Sequence, residues 1–295
     1  MRSTRQDVLF TAAYAASGRS LAQTAGELVI TNRAGIRVSA TAAPAIRISL
    51  PGRNEAAVVI EMPEHAWRKK TNSDEQDWFY RMYTNEARWK GVPKWSREKN
   101  GLSYRMSLPS GVTLNATATL DADGVAIAYE IANPDNLAYA ETQAPTCIKL
   151  YRPFTDVFLE RTYVHHSNGL DLLASETPER LTKNAEEWLP CRYIVRCSAG
   201  TAAPAKRMER QPDGITRYYK MRAANAAFLA TESNPKGWVA ATHSSGSPDV
   251  WTNPARTCHH ADSGAPLAAR STARLTLKLY LLAGSAEDAW RRVAI

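Results

Sequence analysis

Three consecutive stretches, Leu102-Ser-Tyr-Arg-Met-Ser-Leu108, Val112-Thr-Leu-Asn-Ala-Thr-Ala-Thr-Leu120 and Gly124-Val-Ala-Ile-Ala-Tyr-Glu-Ile-Ala-Asn133, alternate apolar and polar side chains residue by residue. Such alternation puts every second side chain on one face of a strand, and a helix cannot use it. The connections Pro109-Ser-Gly111 and Asp121-Ala-Asp-Gly124 carry the Gly and Asp that tight turns require, so the segment reads as an antiparallel meander. The same punctuation begins earlier, with strands expected over 28–31, 36–40, 46–50 and 57–62. Helical candidates are few: 74–82 and 285–293. An all-β sandwich follows, with residues 26–295 expected as one large domain, since all-β folds reach this length undivided.

Hydrophobic residues at 44% and charged residues at 22% are globular proportions, which argues against general disorder. The net charge of +8 is spread along the chain without a long basic run, so it fits an acidic carbohydrate as well as nucleic acid, or a solvated basic surface with no specific anion. Between Trp67 and Lys99, Trp78, Tyr80, Tyr83, Trp89 and Trp95 alternate with Arg81, Arg88, Lys90, Lys94 and Arg97. Aromatic faces fill cores but also stack on sugars, so part of this block is a candidate electropositive groove. At the amino terminus, residues 1–25 run from a basic start through a short apolar stretch to small residues, with Thr4-Arg-Gln-Asp-Val-Leu-Phe10 resembling a degenerate twin-arginine signal. That order predicts export to the periplasm or beyond. No stretch is long enough to span a membrane as a helix. The cysteines, Cys147, Cys191, Cys197 and Cys258, lack the C-x-x-C spacing of a zinc knuckle. A Cys191–Cys197 disulfide would need a turn between them, and buried free thiols are the alternative.

The run Leu120-Asp-Ala-Asp-Gly-Val-Ala-Ile-Ala-Tyr-Glu-Ile-Ala-Asn-Pro134 resembles a strand pair found in galactose mutarotase-like proteins. Cys258-His-His-Ala-Asp262 is similar to a Cys-x-His-x-Asp pattern of exported bacterial proteins with that fold, and Leu279 to Val293 resembles their closing strand, Gly and short helix. The resemblance covers about the last two-thirds of the chain. It implies a large antiparallel β-supersandwich with few short helices and a carbohydrate ligand, and leaves the reaction open, because that fold hosts epimerases, lyases, hydrolase domains and binders.

Four of the six histidines fall in two His-His pairs. If 157–166 is one strand, Arg161, Tyr163 and His165 share a face. An arginine grips a carboxylate through paired hydrogen bonds, a histidine exchanges protons near neutrality, and a tyrosine beside an arginine is expected to be acidified. The second pair lies in the loop-like stretch Trp251 to Asp262. His260 with Asp262 supplies an acid and a base, with Glu176 and Glu187 as alternative carboxylates. Trp251 is a candidate sugar platform, Asn253 a hydroxyl partner and Arg256 an anion partner, with Trp89 and Trp95 as further aromatic surface.

Arg161, Tyr163, His165, His260 and Asp262 are therefore expected in one cleft, performing proton abstraction on an acidic glycan or sugar as a lyase or epimerase; a non-catalytic carbohydrate-binding module is the alternative. Neighbouring histidines on a strand point opposite ways, so each pair offers one metal ligand, and no metal or other cofactor is expected.

Overall fold

The alternating segments form strands at Gly101–Ser107, Thr113–Leu120 and Gly124–Ala132, hydrogen-bonded in antiparallel register with Leu102 and Ile127 both opposite Ala118. The computed structural model describes residues 28–84, 86, 91–197 and 203–294; the export-type segment 1–25 and Trp89 lie outside them. Gly124 closes the last turn of the meander at φ 145°, where a Cβ would stand 2.1 Å from the Leu279 carbonyl oxygen, so no other residue fits.

The long strand Thr272–Gly284 pairs with Gly124–Ala132 on one side and Gly237–His243 on the other. Together with Phe228–Glu232, Thr162–His166, Gly169–Leu172 and Lys94–Glu98, these make a nine-stranded sheet. A ten-stranded sheet faces it. Its central strands run in the order Val58–Glu61, Cys147–Leu150, Cys258–His260, Asp249–Asn253, Cys191–Cys197 and Thr216–Ala224, and the last two form a parallel pair. A four-stranded sheet, ordered Gly264–Leu267, Tyr139–Gln143, His65–Lys69 and Gln76–Arg81, adds Ala66, Phe79 and Tyr80 to the same core as Val38, Ile48, Leu102 and Ile127. The chain is an all-β antiparallel sandwich.

Several local expectations are corrected. Residues 76–81 form a strand instead of a helix, because they pair with His65–Lys69. The strand expected over 157–166 begins only at Thr162: the Asp156 carboxylate accepts the N–H groups of Glu160 and Arg161, and Leu159 sits at φ 53°. Cys191 and Cys197 are the two ends of one extended strand, roughly 20 Å apart at a strand's rise, so they stay free. Burial pushes each of these thiols up to about 12. The closing helix does form, over Ala286–Val293, with Ser285 and Asp288 as its capping box.

His259 points between the two large sheets and joins them. Its Nε2 is 2.8 Å from the Thr231 hydroxyl and its Nδ1 3.2 Å from that of Thr242. Thr231 continues to Thr162 at 2.9 Å, and Thr162 donates to Asp156 at 2.7 Å. Burial, helped by the neighbouring His260, pushes His259 down to about 3 from the ordinary 6.5, so the folded chain holds it neutral. Below pH 6.5 the unfolded chain binds a proton that the folded chain refuses. This contribution to stability is therefore complete above 6.5 and shrinks as pH falls towards 3, by up to about 1.4 kcal/mol per pH unit. In chemical denaturation across that window, His259→Gln should give a flatter stability–pH curve than the wild type.

Candidate functional site

Strand alternation divides the 258–262 segment. With His259 turned inward, Cys258 and His260 face outward from the ten-stranded sheet. Neighbouring strands set Trp251 and Asn253 beside them on one flank and Cys147 and Lys149 on the other, and Glu61 lies opposite Cys147 one strand further on. Four buried polar atoms on this face, Glu61 Oε2, Arg192 Nε, Asn253 Oδ1 and His260 Nδ1, have no hydrogen-bond partner among the described residues. Buried polar atoms are normally satisfied, so their concentration on one face marks it as a surface built to meet something.

The charges interlock. His260 Nε2 is 3.4 Å from Cys258 Sγ. Its Nδ1 is 3.4 Å from Asp262 Oδ2, an ion-pair distance without hydrogen-bond alignment. Asp262 Oδ1 accepts the Thr146 N–H at 2.8 Å, which fixes the carboxylate. Trp251 stacks flat on the His260 ring, with centroids 3.6 Å apart. Burial lowers the basicity of His260, but Cys258 and Asp262 outweigh it and raise the ring to about 10. Cys258 is drawn below the ordinary thiol range, first by the hydrogen bond from Cys147 and then, against burial, by His260. Both shifts run toward the charged form of the pair, the thiol downward and the ring upward. Glu61, bonded to Lys149, is raised because burial exceeds the effect of that lysine.

A cavity of about 500 Å³ opens beside this floor, lined by Glu64, His65, Trp78, Arg81, Tyr83 and their neighbours. Lys149 bonds to Tyr83, and carboxylate oxygens of Glu61 and Glu64 lie within 4.8 Å of Cys147 Sγ and of each other, so cavity and floor are continuous. The His65 ring stands 4.9 Å from that of Trp78, and the Arg81 guanidinium 4.5 Å over Trp78. His65 Nδ1 is 3.9 Å from Glu64 Oε2. Burial lowers His65, while Glu64 and Asp262 oppose that effect.

His260, Asp262, Trp251 and Asn253 come together on the outward face, and Arg256 is near enough to act on Glu61. Trp251 is no open platform, since His260 covers it from one flanking strand and the Arg192 guanidinium lies 5.2 Å from its centroid from the other.

Arg161, Tyr163 and His165 do not join them. Thr162 and Thr231 point into the sandwich, so Tyr163 and His165 emerge on the far side of the nine-stranded sheet, beneath the closing helix. There His165 stacks on Trp290 at 3.7 Å and bonds to Asn225 at 2.8 Å. Arg161 donates to the Thr155 and Glu232 carbonyls. Tyr163 is raised, contrary to the acidification expected, because burial, Glu232 and Asp156 outweigh Arg161. Trp95 packs on the core, edge-on to Tyr104 with Nε1 donating to the Ala43 carbonyl. Glu187 closes the capping box of the short helix Ala185–Trp188, and Glu176 accepts the Met221 N–H. Glu64 and His65 escaped the sequence reading; their only local sign was a titratable pair beside the aromatic block that supplies Trp78, Arg81 and Tyr83.

No protein-family model matches the chain, and no curated protein sequence matches it significantly. Similar solved structures include a galactose mutarotase related enzyme from Lactobacillus acidophilus, at 8% identity and TM-score 0.49, covering 87% of this chain and 97% of that one. A galactose mutarotase-like protein from Lactobacillus casei aligns at 13% identity and TM-score 0.47, covering 87% and 100%. A galactose 1-epimerase from Lactobacillus acidophilus aligns at 10% identity and TM-score 0.44, covering 88% and 94%.

The opposite placement of the two histidine pairs separates their effects. His165→Ala should lower thermal stability by about 1 kcal/mol, through loss of the ring stacked on Trp290, and leave the fluorescence of the Trp78 and Trp251 face unchanged. Calorimetry and Trp fluorescence on the same variant check both halves.

Proposed function

We propose that this chain is a carbohydrate-active protein whose cavity receives an acidic sugar and whose His65, beside Glu64, exchanges protons with it, as a lyase or epimerase. The observation that carries the reading is the pairing of His65 with Glu64 at 3.9 Å in a cavity walled by Trp78 and Tyr83 and flanked by Arg81 and Lys149. Aromatic faces suit the apolar faces of a pyranose, and the cations suit its carboxylate. Elimination and epimerisation beside a carboxylate both begin with loss of the adjacent C–H proton. His65, which burial biases towards the neutral form, is the base for that step. Glu64, 3.9 Å away, favours the imidazolium that forms, and the cations stabilise the charge that spreads onto the carboxylate in the transition state.

The test uses solvent deuterium. The chain is incubated with a panel of uronic-acid saccharides in D₂O, with exchange beside the carboxylate followed by NMR and unsaturated products by ultraviolet absorbance. His65→Gln should slow exchange about 100-fold or more while leaving affinity within a few-fold, and Trp78→Ala should weaken affinity about tenfold, close to 1.4 kcal/mol. Saccharide binding with neither exchange nor product in the wild type would sink the catalytic reading and leave a carbohydrate-binding module.

A further inference from the structure

We infer that the floor of this face is a metal site of the zinc class, held by Cys147, Cys258 and His260, with a fourth position left to a carboxylate or solvent on the Cys147 side. The inference stands on the ligand geometry and does not depend on the sugar reading. Cys147 Sγ, Cys258 Sγ and a His260 ring nitrogen all lie within 4.8 Å of one another, and all three residues are buried. With metal–sulfur and metal–nitrogen bonds of about 2.3 and 2.0 Å, two ligand atoms at a tetrahedral centre stand roughly 3.5 Å apart. Cys258 Sγ and His260 Nε2 are 3.4 Å apart, so this edge of the tetrahedron already has its length.

Independent features support it. The His260 nitrogen that does not face the thiols stands 3.4 Å from Asp262, whose other oxygen is fixed by the Thr146 N–H. A carboxylate behind the outer nitrogen is the usual way of orienting a metal-bound imidazole. Stacking on Trp251 holds the ring plane. Beside Cys147 lies Glu61, whose Oε1 is held by Lys149 and whose buried Oε2 has no hydrogen-bond partner among the described residues. Glu61, Glu64 and Cys147 form a second triplet of ligand atoms within 4.8 Å, sharing Cys147 with the first. Sheet register explains the convergence, because Val58–Glu61, Cys147–Leu150 and Cys258–His260 are adjacent strands and all these groups take the same face. Two sulfurs with an imidazole select zinc over magnesium or calcium, which prefer oxygen. Glu64, which also lines the cavity, marks the path of entry.

The full-length chain, reduced and stripped with a chelator, should take up one equivalent of Zn²⁺ in competition with a chromophoric chelator. Co²⁺ should produce thiolate charge-transfer absorption and the strong visible bands of a four-coordinate ion. Cys147→Ser and Cys258→Ser should each weaken Zn²⁺ binding about 100-fold or more, and Asp262→Asn about 10- to 100-fold. The Co²⁺ spectrum of the wild type needs no variant to fold. Absence of stoichiometric uptake by the reduced wild type, or uptake that survives loss of both cysteines, overturns the inference. Deuterium exchange into a saccharide, or its absence, bears only on the proposed function.

Discussion

Within the apolar core shared by the two large sheets, one neutral imidazole ties them together by hydrogen bonds. His259 occupies a place where an apolar side chain would pack, and it is tolerated because hydroxyls from two strands of the opposite sheet satisfy both ring nitrogens. The linked hydroxyls reach Asp156, which in turn arrests the chain before Thr162 and sets where that strand begins. With His259 fixed inward, its neighbours Cys258 and His260 have no choice but to face out. The structural histidine and the chemically loaded one are therefore a single decision of strand register.

That decision separates two environments a few ångströms apart along the backbone. Inward, the ring has only hydroxyls and apolar neighbours and remains uncharged. Outward, His260 meets the Cys258 sulfur, a carboxylate and an indole face, and its basicity rises. The strand offers Cys258 and His260 in a fixed row, and the chain just beyond it brings Asp262 to the far nitrogen of His260.

Much of the sheet architecture was legible because alternation is local: the meander 102–133, the early strands and the capped closing helix are each written in contiguous residues. The site was legible only in halves. His260, Asp262 and Trp251 lie in one short segment, and Trp78, Arg81 and Tyr83 stand out as an aromatic and basic cluster. What joins them is pairing between strands remote in sequence, which brings Glu61, Cys147 and Cys258 into adjacent rows. The other histidine pair misled for the same reason. The loaded face of Tyr163 and His165 was correctly alternating, but whether it meets ligand or helix is decided by Trp290, far along the chain. The 74–82 error was local: acidic residues opening a run imitate a helix start, and only pairing with His65–Lys69 makes it a strand.

The place of Thr272–Gly284 in the nine-stranded sheet carries a consequence for how the molecule is put together. Among the described residues, this strand alone links the meander 94–132 to the group containing 162–166, 228–232 and 237–243 within the nine-stranded sheet. Until it arrives, each group ends in an open edge: Gly124–Ala132 on one side and Gly237–His243 on the other, both able to pair with another chain. Closure is thus a late event that pairs residues as far apart as Gly124 and Tyr280, the pattern that makes folding slow. A nascent chain lacking residues 272–284 would be held apart as two incomplete halves, vulnerable to aggregation and receptive to a chaperone.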